Sequence, residues 1–295
     1  MVFLNRRSWL VLGGDERLRW AARGLRDLGS AVTDCPDALP AAGAWDALLL
    51  PLPLLTDGSV TGTAASLEDV LALLPADAPC YGGRVPEAWT PRIRDYSRME
   101  HFALENAVPT AEGAIELLLR NLDCTLNGAK VLVIGFGRIG RALAPRLRDL
   151  GASVTVSARK QGDWDAIRAL GLTPDETGRY ALGLRYDAIV NTVPAPVLDA
   201  SAVARTDPGC YLLDLASAPG GLDFAVCGAL GRRWEHALGL PGRTAPRTAG
   251  LIIRDVVLDD LSGSERMLSW NPSPWALPCA APSVPMNGSS PPLRT

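Results

Sequence analysis

Lys130-Val-Leu-Val-Ile-Gly135-Phe-Gly137-Arg-Ile-Gly140, continued by Arg141-Ala-Leu-Ala-Pro-Arg-Leu-Arg-Asp-Leu150-Gly151, is the stretch whose reading decides the fold. Its unbroken apolar run reads as a strand buried on both faces. The three glycines read as a tight turn, and Ile139, Leu143, Leu147 and Leu150 as the inner face of a helix. Without Cβ atoms at Gly135 and Gly137 the backbone can turn sharply and leave free N–H groups at the helix start, while Gly140 lets helix and strand pack closely. Ser153-Val-Thr-Val-Ser157 supplies a second strand about 20 residues on, the spacing of a Rossmann dinucleotide-binding unit.

The end of that second strand decides between the two nicotinamide dinucleotides. NAD-preferring sites carry Asp or Glu there, which accepts hydrogen bonds from the ribose 2′-OH and would repel a 2′-phosphate. This chain has Ser157-Ala-Arg159-Lys160. A small hydroxyl followed by two cations, one of them a planar fork suited to phosphate, points to NADP. A solvated basic loop is the plainer alternative.

Composition excludes several classes of function. The chain has 295 residues, of which 47% are apolar and 21% charged, enough for two domains with proper cores. A formal charge of −3 offers no footprint for nucleic acid or an anionic membrane. No apolar run reaches transmembrane length, so a cytoplasmic protein is expected. The cysteines at 35, 80, 124, 210, 227 and 279 are scattered without a C-x-x-C pair, and the histidines are His101 and His236. That spacing suits neither a zinc cluster nor a disulfide framework, and the thiols read as buried structural ones.

Around the glycine turn the chain reads as alternating strands and helices. Ser8 to Leu12, Ala31 to Thr33, Asp46 to Leu50 and Cys80-Tyr81 are expected strands, with helices over Arg17 to Leu28 and Leu67 to Leu74. These make a first parallel, flavodoxin-like α/β domain over 1–110. Ala111 to Leu122 is an expected helix with Thr110 as N-cap after Pro109, leading into a Rossmann domain over 111–248. There Trp164 to Leu170 is an expected helix; Ala188 to Thr192, Tyr211 to Leu215 and His236 to Leu238 are expected strands. From Thr244 a loop becomes a helix at about Ala249, whose Leu251, Ile252, Val256 and Leu258 would return to the first domain, completing it with residues 249–262. Residues 263–295, rich in Pro and Ser, read as a disordered tail.

Three loops at strand ends collect unusual residues: Asn191-Thr-Val-Pro194-Ala-Pro196, Asp214-Leu-Ala-Ser217-Ala-Pro-Gly-Gly-Leu-Asp223, and Gly239-Leu-Pro-Gly242-Arg243 through Arg247 to Gly250. In parallel sheets ligands bind outside the carboxyl ends of the strands. The expected cofactor contacts are Gly135, Gly137, Arg138, Ile139, Gly140, Ser157, Arg159, Lys160, Asn191, Thr192, Val193 and Pro194. No catalytic residue can be named, since His236 reads as a core or edge residue of an apolar strand.

Pro109-Thr-Ala-Glu112-Gly113, the glycine turn, Asn191-Thr-Val-Pro194, Asp214 to Phe224 and Gly239 to Gly250 together resemble the dipicolinate synthase A subunits over residues 8 to 262. The resemblance implies a two-domain fold similar in build to D-2-hydroxyacid dehydrogenases. It also implies partnership with a flavoprotein B subunit, and production of pyridine-2,6-dicarboxylate for endospores in the mother-cell cytosol. Under it a dihydropyridine dicarboxylate loses a hydride and a proton to become aromatic, so orientation against the nicotinamide matters more than a strong base. Candidate ligands for the substrate carboxylates are Arg243, Arg247, Ser217, Thr110, Glu112 and the amide of Gly113. Two departures stand out: Ala218 where the family usually has a basic residue, which removes a candidate carboxylate partner, and Leu238 where it has Pro. A non-catalytic NADP-binding subunit that serves the flavoprotein, or another NADP-dependent hydroxyacid-type dehydrogenase, stays open, as does homo-oligomerisation.

Overall fold

The structure, a computed structural model, describes residues 7–40, 43–180 and 185–263. The first unit runs β1 (Ser8–Leu12), α1 (Glu16–Asp27), β2 (Ala31–Cys35), β3 (Ala47–Leu49), a small hairpin of β4 (Leu55–Thr56) and β5 (Ser59–Val60), α2 (Leu67–Leu71), β6 (Cys80–Gly82) and β7 (Arg94–Asp95). Its sheet has the order β2-β1-β3-β6-β7 with every pairing parallel, the flavodoxin order. Trp9 to Leu12 are fully buried, which is why β1 carries a continuous apolar run instead of an alternation. Asp15 caps α1 by accepting from the amide of Arg17.

Two helices, α3 (Glu100–Glu105) and α4 (Ala107–Asn121), lead into the second unit. It contains β8 (Lys130–Ile134), α5 (Arg138–Asp149), β9 (Ser153–Ala158), α6 (Gln161–Ala169), β10 (Thr173–Glu176), β11 (Ala188–Asn191), α7 (Ala200–Ala204), β12 (Tyr211–Asp214), α8 (Phe224–Ala229) and β13 (Arg233–His236). The order β10-β9-β8-β11-β12-β13 is the parallel Rossmann arrangement, with β8 at the point where the order reverses. The chain ends its described part with α9 (Leu240–Thr244) and α10 (Pro246–Leu261). Among the described residues no helix is long and apolar enough to cross a membrane.

Helix α10 belongs by packing to the first unit. Its Ile252, Ile253, Val256 and Val257 share one core with Trp9, Val11, Leu18, Ala21 and Leu25. Gly250 makes this close crossing possible: a Cβ there would stand 2.2 Å from the carbonyl oxygen of Arg17. At the far end Tyr81 donates to Asp260 over 2.6 Å, and Arg94 pairs with the same carboxylate.

Several boundaries differ from expectation. Helix α4 starts one turn early, so Thr110 lies inside it and gives its hydroxyl to the Asn106 carbonyl at 2.7 Å. Pro109 is the third residue of that helix, where no intrahelical N–H is needed, so it does not mark the residue before the start. The expected loop after Gly239 contains α9, and α10 begins at Pro246, a proline suited to a first helical position. Leu150 caps α5 and is exposed, while Leu143 and Leu147 are fully buried as expected. Strand β13 ends at His236, where the expected strand begins. Strands β7 and β10 have no apolar alternation to reveal them, and the expected tail lies outside the described residues from 264 onward.

Candidate functional site

The turn between β8 and α5 is held by its neighbours. Gly135 has φ of 98°, and a Cβ there would meet the Thr192 hydroxyl oxygen at 2.6 Å. Thr192 also ties the turn across the sheet, donating to the Ile134 carbonyl at 2.9 Å. A Cβ on Gly140 would stand 2.0 Å from the Gly135 carbonyl oxygen, so this glycine is required by packing. Gly137 differs, because no protein atom outside its immediate neighbours lies within 4 Å of its Cβ position. Packing does not require a glycine at 137, and the space before the helix-start amides is open there.

The side chains around the turn divide by exposure. Ile139 is half-buried against the core. Arg138 is paired with Glu100 at 2.5 Å, a contact between α5 and the start of α3. Arg141 lies over the Phe136 ring, donates to the Phe136 carbonyl and pairs with Asp163 at 2.7 Å. Ser157 is fully buried and its hydroxyl accepts from Thr177 at 3.1 Å, so it is not presented to solvent. The strand runs on to Ala158, and Arg159 and Lys160 follow, both exposed. Among the described residues neither cation has an ion-pair partner.

Asn191 and Asp214 are both fully buried and build the floor beside the turn. Asn191 donates to Asp214 at 2.9 Å and to the Val193 carbonyl at 3.0 Å, and accepts from the Val193 amide. Asp214 also accepts from the amides of Ala216, Gly221 and Leu222. The carboxylate therefore shapes the 216–222 loop, and Asn191 shapes the 191–194 loop. What these loops present outward is Thr192 and Val193, half-buried, and Pro194 and Ser217, exposed.

The expected carboxylate ligands are not brought together. Gly113 is buried mid-helix under α9, where a Cβ would meet the Thr244 hydroxyl at 3.0 Å, so its amide is not a helix-start donor. Thr110 is internal for the same reason, while Glu112 is exposed. Arg243 is exposed and stands 3.7 Å from Glu235. Arg247 is exposed in the first turn of α10 and lies over the Trp20 ring at 5.5 Å. His236 sits at the carboxyl end of β13, its ring stacked on Phe224 and its Nε2 2.8 Å from the Ala216 carbonyl, so Nε2 carries the proton and donates it there.

A residue that sequence reading passed over stands at the corresponding edge of the first unit. The Arg17 side chain is only 12% exposed and grips both Asp15 carboxylate oxygens and the Leu52 carbonyl. Burial works to lower its pKa, and the hydrogen bond and charge of Asp15 more than offset this, leaving the guanidinium above its ordinary range. Gly242 lies against it, since a Cβ there would be 3.1 Å from the Arg17 Nε. The only signal in the sequence was Gly13-Gly14-Asp15-Glu-Arg17 at the end of β1, which lacks the dinucleotide spacing.

Comparison with known proteins agrees with this architecture. Residues 112–221 match the family model of the D-isomer specific 2-hydroxyacid dehydrogenase, NAD binding domain. The dipicolinate synthase A subunit of Bacillus subtilis (strain 168) is 33% identical over 227 residues, spanning 72% of this chain and 76% of that protein. The crystal structure of the dipicolinate synthase A subunit from Bacillus halodurans superposes with a TM-score of 0.78 at 29% identity, covering 88% of this chain and 98% of that one. A putative D-3-phosphoglycerate dehydrogenase from Ralstonia solanacearum shares the fold at 14% identity and a TM-score of 0.55, over 87% of this chain and 95% of its own. The second unit is thus a nicotinamide-dinucleotide-binding domain of dehydrogenase type, and the chain belongs to the family of dipicolinate synthase A subunits.

Proposed function

We propose that this chain is the NADP-binding subunit of a dipicolinate synthase and oxidises dihydrodipicolinate to pyridine-2,6-dicarboxylate for endospores. In this reading it works in the mother-cell cytosol with a flavoprotein B subunit. Its domains are 1–110 completed by the C-terminal helix, and 111–248. The observation that carries the reading is Gly137, a glycine with no packing reason at the start of α5, combined with two cations at the end of β9 that have no ion-pair partner among the described residues. The residues present fit the cofactor. The amides of the 135–140 turn would hold the pyrophosphate, Arg159 and Lys160 the 2′-phosphate, and the 192–194 loop the nicotinamide end. A bound nicotinamide would supply the hydride acceptor for oxidation of the dihydropyridine ring, whose proton would be released to solvent.

The chain's own part is to orient and to exclude water. Asp214 and Asn191 fix two loops at the carboxyl edge through buried hydrogen bonds, so little ordering remains to be done when the ligands arrive. Aromatisation drives the reaction, and no strong base is required of the protein.

A second reading, in which the chain positions the cofactor while the flavoprotein oxidises, is favoured by the histidines. His236 is committed to the Ala216 carbonyl, and His101 to Glu105 and Asp259. Purified chain mixed with NADP and freshly generated dihydrodipicolinate, with and without the flavoprotein, separates them. NADPH formation by the chain alone supports the first reading, and formation only with the flavoprotein supports the second.

A further inference from the structure

We propose that Arg17 and Arg84, at the carboxyl ends of β1 and β6, form the binding site for the two carboxylates of a small planar dicarboxylic acid. This deepens the function proposed above and rests on it. It moves the acid from Arg243 and Arg247 to the first unit.

The sheet order β2-β1-β3-β6-β7 reverses between β1 and β3, and ligands of open parallel sheets bind at that crevice. Arg17 sits there. Asp15 and the Leu52 carbonyl occupy its Nε and Nη2, whereas Nη1 has no partner among the described residues. A guanidinium fixed through Nε and Nη2, with Nη1 left over, is already oriented to donate to one carboxylate oxygen, and little side-chain entropy remains to be lost on binding. Gly242 of α9 lies against its Nε and Cζ, and α9 also packs on α4 through Gly113, so the guanidinium stands beside the elements that lead into and out of the second unit.

Arg84 supplies the second cation. Its φ of 54° is left-handed, a conformation unfavourable for a non-glycine residue that calls for surroundings that enforce it. They are present in Asp95, whose side chain is 6% exposed. Asp95 accepts from the amides of Arg84, Val85 and Ser97 and from the Ser97 hydroxyl, while the same hydroxyl oxygen accepts from the Arg84 amide. All this anchors the backbone of a residue whose side chain is exposed and has no partner among the described residues. Arg98 shares the remaining charge of Asp95 at 3.5 Å. Leu52 joins the two sites: its carbonyl takes Arg17, and its side chain fills the space beside Gly83. Strands β1 and β6 are separated by β3 alone, about 10 Å at ordinary strand spacing, a span that two arginine arms can close on one small acid.

The test is calorimetry on the full chain with pyridine-2,6-dicarboxylate and pyridine-2-carboxylate, alongside an NADPH titration. Wild type should bind the diacid at least tenfold tighter than the monoacid. Arg84→Asn, which suits the left-handed backbone and removes the charge, should bring the diacid down to the monoacid's affinity. Arg17→Lys should weaken both at least tenfold, and NADPH affinity should hold in each variant. If wild type binds NADPH but neither acid, this site and the substrate reading fall together. If wild type takes the diacid and both folded variants match it, this site alone is overturned. Should Arg17→Lys fail to fold, Arg84→Asn decides by itself.

Discussion

Replacing Gly137 by Ala isolates the cofactor from the fold. The residue is the N-cap of α5 with φ −81° and ψ −160°, open to any side chain, and a Cβ there meets nothing within 4 Å. Ala is a poorer N-cap than Gly by something under ~1 kcal/mol, but it also restricts the unfolded chain, worth about 0.4–1 kcal/mol in the opposite direction. Stability should therefore stay within about 1 kcal/mol, or roughly 2–4 °C in Tm. Binding should not survive so well. A methyl group in the approach to the helix-start amides removes at least one charge-assisted hydrogen bond, about 1.5–3 kcal/mol, which is a loss of about 10- to 150-fold in NADPH affinity. Gly140→Ala is the counterpart. Its Cβ would lie 2.0 Å from a backbone oxygen where ordinary contact begins at 3.4 Å, so helix and turn must separate by more than an ångström. That overpacking should cost about 1–3 kcal/mol after any gain from helix propensity. Urea unfolding and NADPH fluorescence titration on the two variants give the four numbers. Wild-type affinity in Gly137→Ala would refute the placement of the pyrophosphate.

Other expectations follow from single contacts. Arg159→Ala combined with Lys160→Ala should shrink the preference for NADP over NAD at least tenfold by calorimetry, and equal affinities in wild type would defeat the cofactor assignment. Glu100→Gln should change stability by under ~1 kcal/mol, as an exposed pair would, yet tighten NADPH a few-fold by releasing Arg138; no change in affinity would show that Arg138 plays no part. Asp214→Ala strands buried donors and should cost about 3–5 kcal/mol in urea unfolding, and a cost under ~1 kcal/mol would contradict its role in holding the loop. Burial pushes the Cys210 thiol up to about 12 from 9.0, so the folded state favours its proton. The stabilisation is complete below pH 9 and is lost as pH rises toward 12; Cys210→Ala should flatten the decline of Tm with pH across that window, and parallel slopes would count against it.

The Rossmann unit was legible because its constraints are local: an apolar run, glycines at fixed offsets and a second strand at the right distance. Gly137 could be singled out from spacing alone, and the structure adds that its neighbours leave the space open. Ser157 misled because its exposure depends on where β9 ends and on Thr177, which is 20 residues away. Pro109 misled because proline is tolerated anywhere in a first turn, so it marks a helix start only to within a few residues. Arg17 and Asp95 were invisible for a different reason. Their meaning lies in contacts with Leu52, Gly242 and Arg84, which no periodicity encodes.

The return of α10 to the first core has a consequence for synthesis. A ribosome releases β1 and α1 at the outset, but the partners of Trp9, Leu18 and Leu25 at positions 252–257 emerge only after the whole Rossmann unit has been made. The second unit can close around its own strands while the first still exposes an apolar helix face. The end of the chain made first is therefore the last to reach its native packing, and in the interval it depends on chaperones or on speed to stay out of aggregates.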